Sequence, residues 1–364
     1  MTTEPAAIAP LLFTVLTPCY NSAGFIQRVY DSLCAQTLRS FEWVVIDDAS
    51  TDDTLARLRA YQAQADFPVR IIEHSENRMV LAGFNAGIAA ARGEFIILAG
   101  HDDAFVPEAL ARLYQAWLSI PPAERAGVSG VSCLCCDQHG KLIGDPYAQS
   151  PWLTDMFTVF FQHHHLGEKW GMARRDILQD PRFRFRDDID RYVPEQHVWL
   201  SIALHYRALF INDALRVYFI NQTSHESLSS MRKIRYVKGQ RFAAMLCLND
   251  FFWHVWPDKR ALLITLLMYV RLSVHAHLGL WRTAGDVHPL FQRALVVLVF
   301  ADGRVENRVF TPPPGHTASS MREAANFLNA MAEGRTLADL RGRIDHEVQT
   351  ARRQLDDVAA ALIA

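Results

Sequence analysis

The sequence predicts an α/β protein, a wound sheet with crossover helices followed by a purely helical region. Across the first 130 residues, short β-rich runs alternate with amphipathic stretches, the signature of strands linked by helices. Past residue 230 long helical segments follow one another with no strand between them. Half of the 364 residues are hydrophobic and 21% are charged, the balance of a folded chain.

Leu11–Thr17 reads as a buried strand broken by Pro18, and Phe25, Val29 and Leu33 then recur at helical spacing. Phe41–Ile46 is a second strand running into Asp47 and Asp48. Ser50 and Asp53 stand at capping-box spacing before the next helix, and Asp52 and Asp53 supply charge at its start. Val69–Glu73 is a third strand. Leu81–Arg92 is a helix stopped by Gly93, and Glu94–Ala99 is a fourth strand ending at Gly100, His101, Asp102 and Asp103. Pro107 opens another helix. Val128–Cys136 reads as a strand with a hairpin signal at Asp137–Gly140, Pro194–Tyr206 as a helix, and Ala208–Ile211 and Leu215–Ile220 as two short strands around Asn212 and Asp213. Met231–His254, Asp258–Leu280 and Leu290–Phe300 are helical, and Thr311–Gly315 is a linker. Leu337, Leu340, Ile344, Val348, Ala351, Leu355, Val358 and Leu362 form one apolar stripe, suited to docking on the protein's own surface or to pairing two copies. The expected division is a tail at 1–10, an α/β domain at 11–230, a helical region at 231–310, a linker at 311–316 and amphipathic helices at 317–364.

Charge and composition exclude several classes. With 37 Lys and Arg against 39 Asp and Glu, the net charge of −2 gives no field for nucleic acid. The longest largely apolar run, Ala261–Val270, stops at Arg271, short of the roughly 20 residues of a spanning helix. Met1–Pro10 lacks the basic start of a secretory signal, and six cysteines in this length do not make a disulfide scaffold, so a reduced cytoplasm is expected. Cys133, Cys135 and Cys136 alternate along a strand and read as core. His163, His164 and His165 have no partners at zinc spacing and read as surface or acceptor-pocket residues.

In wound sheets ligands bind beyond the carboxyl ends of the strands. Those ends carry Thr17, Pro18, Tyr20 and Asn21, then Asp47 and Asp48, then His101, Asp102 and Asp103. An aromatic wall, a carboxylate for a base N–H and a carboxylate pair for a divalent ion suit a nucleoside diphosphate. No GxGxxG follows the first strand and no P-loop occurs anywhere, so the phosphate charge must be met by a cation.

The run FTVLTPCYNSAGFIQRVYDSLCAQTLRSFEWVVIDDASTDDT resembles the family 2 glycosyltransferases of the GT-A fold. So do Asn77, the Asn85-Ala86-Gly87 and Ala91-Arg92-Gly93-Glu94 segments, GHDD, GEKWGMARRDIL, PEQHVW and FINDALRVYF, over roughly residues 11–230. The resemblance implies a GT-A domain, a nucleoside-diphosphate sugar donor with a UDP-sugar expected, Mg²⁺ or Mn²⁺, and transfer with inversion to a hydroxyl of a glycan or glycolipid acceptor, in surface polysaccharide or glycolipid synthesis. By position, Thr17, Pro18 and Tyr20 would border the nucleoside, Asp48 would accept from the base, and Asn85 would shape the pocket floor. Asp102 would reach ribose or metal, Asp103 would hold the metal, and His225 would add a ligand from a later loop. The family's metal motif is commonly Asp-X-Asp, and Gly100 stands where its first Asp usually does.

Inverting transfer needs a carboxylate to take the acceptor's proton. The family places an Asp in a Glu-Asp pair at a helix start; the matching residue is Glu195, followed by Gln196. Asp187, Asp188 and Asp190 are rival bases nearby. Two other readings compete: a nucleotide-sugar-binding scaffold that lost catalysis, favoured by Gly100 and Gln196, and a sugar nucleotidyltransferase, disfavoured because TPCYNSAGF has one Gly and no Lys. The basic run Arg232, Lys233, Arg235, Lys238 and Arg241, with Trp253, Trp256 and Trp281, suits a solvated helix face or a peripheral membrane contact through 231–281, and the stripe at 337–362 suits a homodimer.

Overall fold

The computed structural model describes residues 11–165, 167–220 and 236–288. Nine strands form one mixed sheet: β1 (Phe13–Cys19), β2 (Phe41–Asp47), β3 (Val69–Glu73), β4 (Phe95–Leu98), β5 (Ala104–Phe105), β6 (Val128–Asp137), β7 (Trp152–Thr154), β8 (Lys169–Arg174) and β9 (Arg207–Tyr218). Their order is β3-β2-β1-β4-β8-β6-β9-β5, with β7 also pairing β9. The first four are mutually parallel, β8 runs antiparallel between β4 and β6, and β6 and β9 pair in parallel. The expected parallel half is present, and antiparallel strands extend it.

Period-two alternation sorts the strand residues between the sheet's faces. Val15, Val45 and Ile97 face one core with α1 (Ile26–Cys34), α2 (Thr54–Gln64) and α4 (Ala109–Leu118). Leu16, Ile46 and Ile96 face the other with α3 (Met79–Ala90), α5 (Arg175–Leu178) and α6 (Gln196–Ala203). Strands covered on both faces read as continuous apolar runs, which is why FEWVVI and EFIILA were legible. Each fully buried aromatic, such as Phe13, Trp43 or Phe95, contributes roughly 1.5–3 kcal/mol of transfer free energy.

Glu42 is completely buried in β2 and closes the α3–β4 corner. Its Oε1 accepts from Thr14 Oγ1 at 2.8 Å and from the Arg92 N–H at 2.8 Å, while Arg70 Nη1 lies 3.2 Å from Oε2. A Cβ at Gly93 would stand 2.3 Å from the Phe13 carbonyl carbon, so only glycine lets the chain cross β1 here. The Ala91–Glu94 segment is thus an anchor between elements.

Three expectations are corrected. Pro18 does not end the first strand: β1 continues to Cys19, because Pro18 pairs with Ile46 on β2 where β4 has already stopped at Leu98 and asks for no further donor. The two strands expected around Asn212 and Asp213 are one, β9. The register against β6 jumps from Ser132↔Phe210 to Leu134↔Ala214, so the polar pair sits in a bulge. Asn212 there exchanges hydrogen bonds with the Tyr147 backbone at 2.7 and 3.0 Å. The capping box expected from Ser50 and Asp53 does not form: α2 starts at Thr54 with Asp53 at its N-cap making no side-chain cap hydrogen bond, and Asp52 Oδ1 accepts from the Thr54 N–H at 3.0 Å.

The region after residue 236 is helical as expected: α7 (Val237–Asn249), α8 (Phe252–Val255), α9 (Lys259–His275) and α10 (Leu280–Gly285). Its core, with Leu248, Phe251, Phe252, Leu262 and Tyr269, is continuous with Phe157 and Leu200 of the α/β part. The stretches Leu290–Phe300, 311–316 and 317–364, with the apolar stripe at 337–362, lie outside the described residues. Cys133, Cys135 and Cys136 are buried in β6.

Candidate active site

A cleft of about 1410 Å³ lies across the carboxyl ends of β1, β2 and β4 and extends to the start of α6. Pro18, Cys19, Tyr20, Asp48, Asn77, Gly100, His101 and Asp102 line one side; Glu168, Arg191, Tyr192, Glu195, Trp199 and Arg216 line the other. Strand termini separated by more than a hundred residues thus share one cleft.

Asp48 stands at the end of β2 with its carboxylate well engaged. Oδ1 lies 2.7 Å from His74 Nδ1 and accepts from the Arg78 N–H at 3.0 Å, and Oδ2 accepts from the Met79 N–H at 2.7 Å. It therefore fastens the start of α3 to the sheet while bordering the cleft. A carboxylate has about four acceptor positions, which leaves one for a ligand.

Gly100 explains its own departure from Asp-X-Asp. A Cβ there would stand 2.5 Å from Asp103 Oδ2 and 3.1 Å from Asp102 Oδ1, so both carboxylates close over the glycine. Asp103 is buried, accepts from the Gly100 N–H at 3.0 Å and is ion-paired with Arg216, Nε to Oδ2 at 2.8 Å. Burial raises its carboxyl above the usual range, against the pull of Arg216. Burial also opposes the charged guanidinium, yet the Asp103 carboxylate outweighs it and raises Arg216 above its ordinary value. Asp103 Oδ1 is buried without a hydrogen-bond partner. Among the described residues no three His, Cys, Asp or Glu gather as a metal cluster. The protein's own contribution is this carboxylate pair, which fits a hard divalent ion completed by diphosphate oxygens and water.

Glu195 occupies the N-cap of α6, yet its carboxylate makes no capping hydrogen bond and borders the cleft instead. Burial pushes its carboxyl up to about 7; Arg216 pulls it down and Glu168 adds to the rise. A carboxylate poised there can accept a proton near neutral pH. The rival acids are engaged elsewhere: Asp187 with Arg184, Asp188 with Arg186, and Asp190 with the Gly239 N–H at 3.1 Å.

Two expected donor contacts are corrected. Thr17 is buried inside β1, where its Oγ1 accepts from Trp43 Nε1 at 3.0 Å, so strand geometry turns it into the core. Asn85 is not among the residues lining the cleft; its Nδ2 donates to the Phe185 carbonyl at 2.8 Å and ties α3 to the following loop. Asp103 stands behind Asp102 and does not itself line the cleft, and its Oδ1, without a hydrogen-bond partner, is the atom left for a metal ion. His225 lies outside the described residues. Sequence reasoning missed His74, Glu168 and Arg216, which belong to no metal or base motif; only the pairing of β9 with β6 and β5 brings Arg216 beside Asp103.

The wound sheet, with an acidic cleft across its strand ends, is that of the GT-A fold. Residues 14–180, a little under half of the chain, match the model of Glycosyl transferase family 2. Among solved structures, Staphylococcus aureus TarS matches with a TM-score of 0.55 and 19% identity, over 78% of this chain and 50% of that one. TarS 1–349 in complex with UDP-GlcNAc matches at 0.53 and 18% identity, over 80% of each chain. At this identity the likeness is one of fold.

A second kinship lies at the other end. Residues 286–364 match the model of the HrcA protein C terminal domain. The heat-inducible transcription repressor HrcA of Caulobacter vibrioides is 49% identical over 71 residues, 20% of this chain and 20% of its own length. The HrcA of Nitrobacter winogradskyi is 40% identical over 143 residues, 39% of this chain and 36% of its own. The chain thus spans about a fifth to a third of the length of these curated relatives. The apolar stripe read from the sequence falls within the matched segment.

Proposed function

We propose that the chain is an inverting glycosyltransferase that moves a sugar from a nucleoside-diphosphate sugar to a hydroxyl acceptor. The observation that carries this reading is one cleft holding Asp48 and Asp102 at strand ends and Glu195, with its carboxyl near 7, on the opposing wall. Tyr20 and Pro18 flank the nucleoside, the remaining acceptor position of Asp48 takes a base N–H, and Asp102 faces ribose or diphosphate. Glu195 Oε accepts the proton of the acceptor hydroxyl as its oxygen bonds to the anomeric carbon and the diphosphate leaves from the opposite face. Asp102 and Asp103 would hold Mg²⁺ or Mn²⁺, which when bound offsets the charge on the leaving diphosphate. A UDP-sugar is the donor favoured by this reading, as in the TarS complex with UDP-GlcNAc.

Calorimetric titration of UDP-, GDP- and dTDP-sugars in the presence of Mn²⁺, followed by donor hydrolysis by wild type and Glu195→Gln, tests the assignment. One donor is expected to bind both proteins and to be turned over only by wild type. Binding without turnover in either protein would establish the scaffold reading, and no binding of any donor would remove both.

The acceptor is proposed to be a glycan or glycolipid at a membrane surface on the cytoplasmic side. No helix among the described residues is long and apolar enough to cross a membrane. Nevertheless Trp253 and Trp281 are 64% and 83% exposed, with Leu263, Ile264 and Leu267 exposed on α9. That helix carries Lys259, Arg260 and Arg271 and no acid, which suits an anionic interface. Arg241, by contrast, is committed to Tyr269, Ser273 and Asp286 inside the helical region. Cosedimentation with phosphatidylglycerol vesicles is expected to fall with added salt and with Trp281→Ala; salt-insensitive retention or none would count against this contact.

A further inference from the structure

We propose that Arg216 is the protein's own cation for the donor's diphosphate, a contact that rests on the donor reading above and needs no metal ion. The cleft presents a charge problem. Asp102, Glu168 and Glu195 line it and Asp103 lies just behind, so a diphosphate enters a field of its own sign. No glycine-rich cradle of backbone N–H groups and no lysine follows β1 to offset this.

Three cations line the cleft among the described residues, and two are placed for other work. Arg191 is at the exposed rim, donating to the Asn77 carbonyl and Oδ1 at 3.2 and 3.0 Å. Lys169 Nζ reaches the Asp145 carbonyl at 3.3 Å and stands over the Tyr147 ring, 5.0 Å from its centroid. Arg216 is the one beside the carboxylate pair. Its Nε is buried and ion-paired with Asp103 Oδ2 at 2.8 Å, without the geometry of a hydrogen bond. Nη1 lies 3.8 Å from Glu168 Oε2, beyond hydrogen-bond distance. The Nη edge therefore keeps donors for an oxyanion that arrives next to Asp102.

A guanidinium fixed at one edge is a preorganised fork for two phosphate oxygens, and such charge-assisted pairs are about twice as strong as neutral hydrogen bonds. The site would then have two sources of positive charge, a divalent ion that Asp102 and Asp103 would hold and Arg216 from β9. Gly100, in place of a carboxylate, leaves the ion fewer protein ligands and the arginine a larger share.

Isothermal titration of UDP against UMP, and of GDP against GMP, in EDTA on the full chain separates the contributions. Wild type is expected to hold the cognate diphosphate at least about tenfold tighter than the monophosphate without metal. Arg216→Gln should bring that ratio near one while leaving monophosphate affinity intact, and Arg216→Lys should retain part of it. A wild-type ratio near one in EDTA would overturn the proposal. So would an unchanged ratio in Arg216→Gln accompanied by weaker Mn²⁺ binding, the result expected if the arginine only positions Asp103. Should the glutamine variant fail to fold, the lysine variant decides by the same ratio. Binding of no nucleotide by wild type, with or without Mn²⁺, would instead overturn the donor reading and this contact with it.

Discussion

Glu195 carries two opposed consequences of one environment. Its carboxyl is raised from an ordinary 4.5 to about 7 because burial disfavours the charged form, while Arg216 beside it limits the rise. In the proposed role of base it would work deprotonated, so the transfer rate should climb tenfold per pH unit below about 7 and level off above it. A pH profile of kcat checks this, and Glu195→Gln should lower kcat by about 10²–10⁴ with donor affinity kept. The sign for stability is the reverse. A carboxyl raised in the folded state opposes folding progressively as pH rises from its unfolded value near 4.5 through 7. Glu195→Gln should therefore melt higher than wild type at pH 8 and no higher at pH 4, as read by calorimetry. Glu195 entered as a candidate through the family resemblance, which places a carboxylate at this helix start, and not through its surroundings. Its neighbours Arg216 and Glu168 were not found, because their role comes from strands β9 and β8 lying beside β6, and no spacing in the chain encodes that adjacency.

Among the elements, α7 packs against the segment that leads to Glu195, the proposed base. Its Gly239 lies so close to the Tyr192–Glu195 segment that a Cβ would stand 2.0 Å from the Tyr192 carbonyl oxygen and 3.1 Å from Val193 Cγ2. The Gly239 N–H donates to Asp190 Oδ2 at 3.1 Å, fastening the same segment from its other end. Gly239→Ala meets backbone rather than a side chain that could swing away, so the segment itself must move. The expected cost is about 1–3 kcal/mol in urea unfolding, the range for overpacking a filled interface. Because Glu195 rides on that segment, kcat should fall while the KM for donor changes little, since Pro18, Tyr20, Asp48 and Asp102 belong to other elements. The parallel strands and their helices were legible because burial on both faces makes apolar runs with polar ends. Those same rules misled at Thr17: a residue at a strand's end was read as facing the ligand, and the pleat turns it into the core against Trp43. Asn85 failed similarly, its amide being spent on the Phe185 carbonyl.

For the whole molecule, the change near residue 230 from alternating strands and helices to helices alone was legible, but it does not divide the described residues, which form one compact unit, and the helical region's part in the cleft was not legible. Tyr236 lines the cleft, and the core of α7 to α10 buries Phe157 and Leu200 of the α/β part. A chain ending at residue 230 would lose a wall of the cleft, expose those side chains and release the segment bearing Glu195. The segment matching the HrcA C terminal domain begins at residue 286, whereas the described residues lining the cleft all lie between 18 and 236. A chain ending at residue 288 should therefore keep donor affinity within about threefold and unfold cooperatively, because it retains both the cleft and the core that supports it. The chain ending at 230 should bind donor weakly or aggregate. Titration of the same nucleotide sugar into the two truncated chains and the full chain checks the pair. Loss of binding in the longer truncation would mean that the residues beyond 288 take part in the site, and unaltered binding in the shorter one would mean that α7 does not buttress the base.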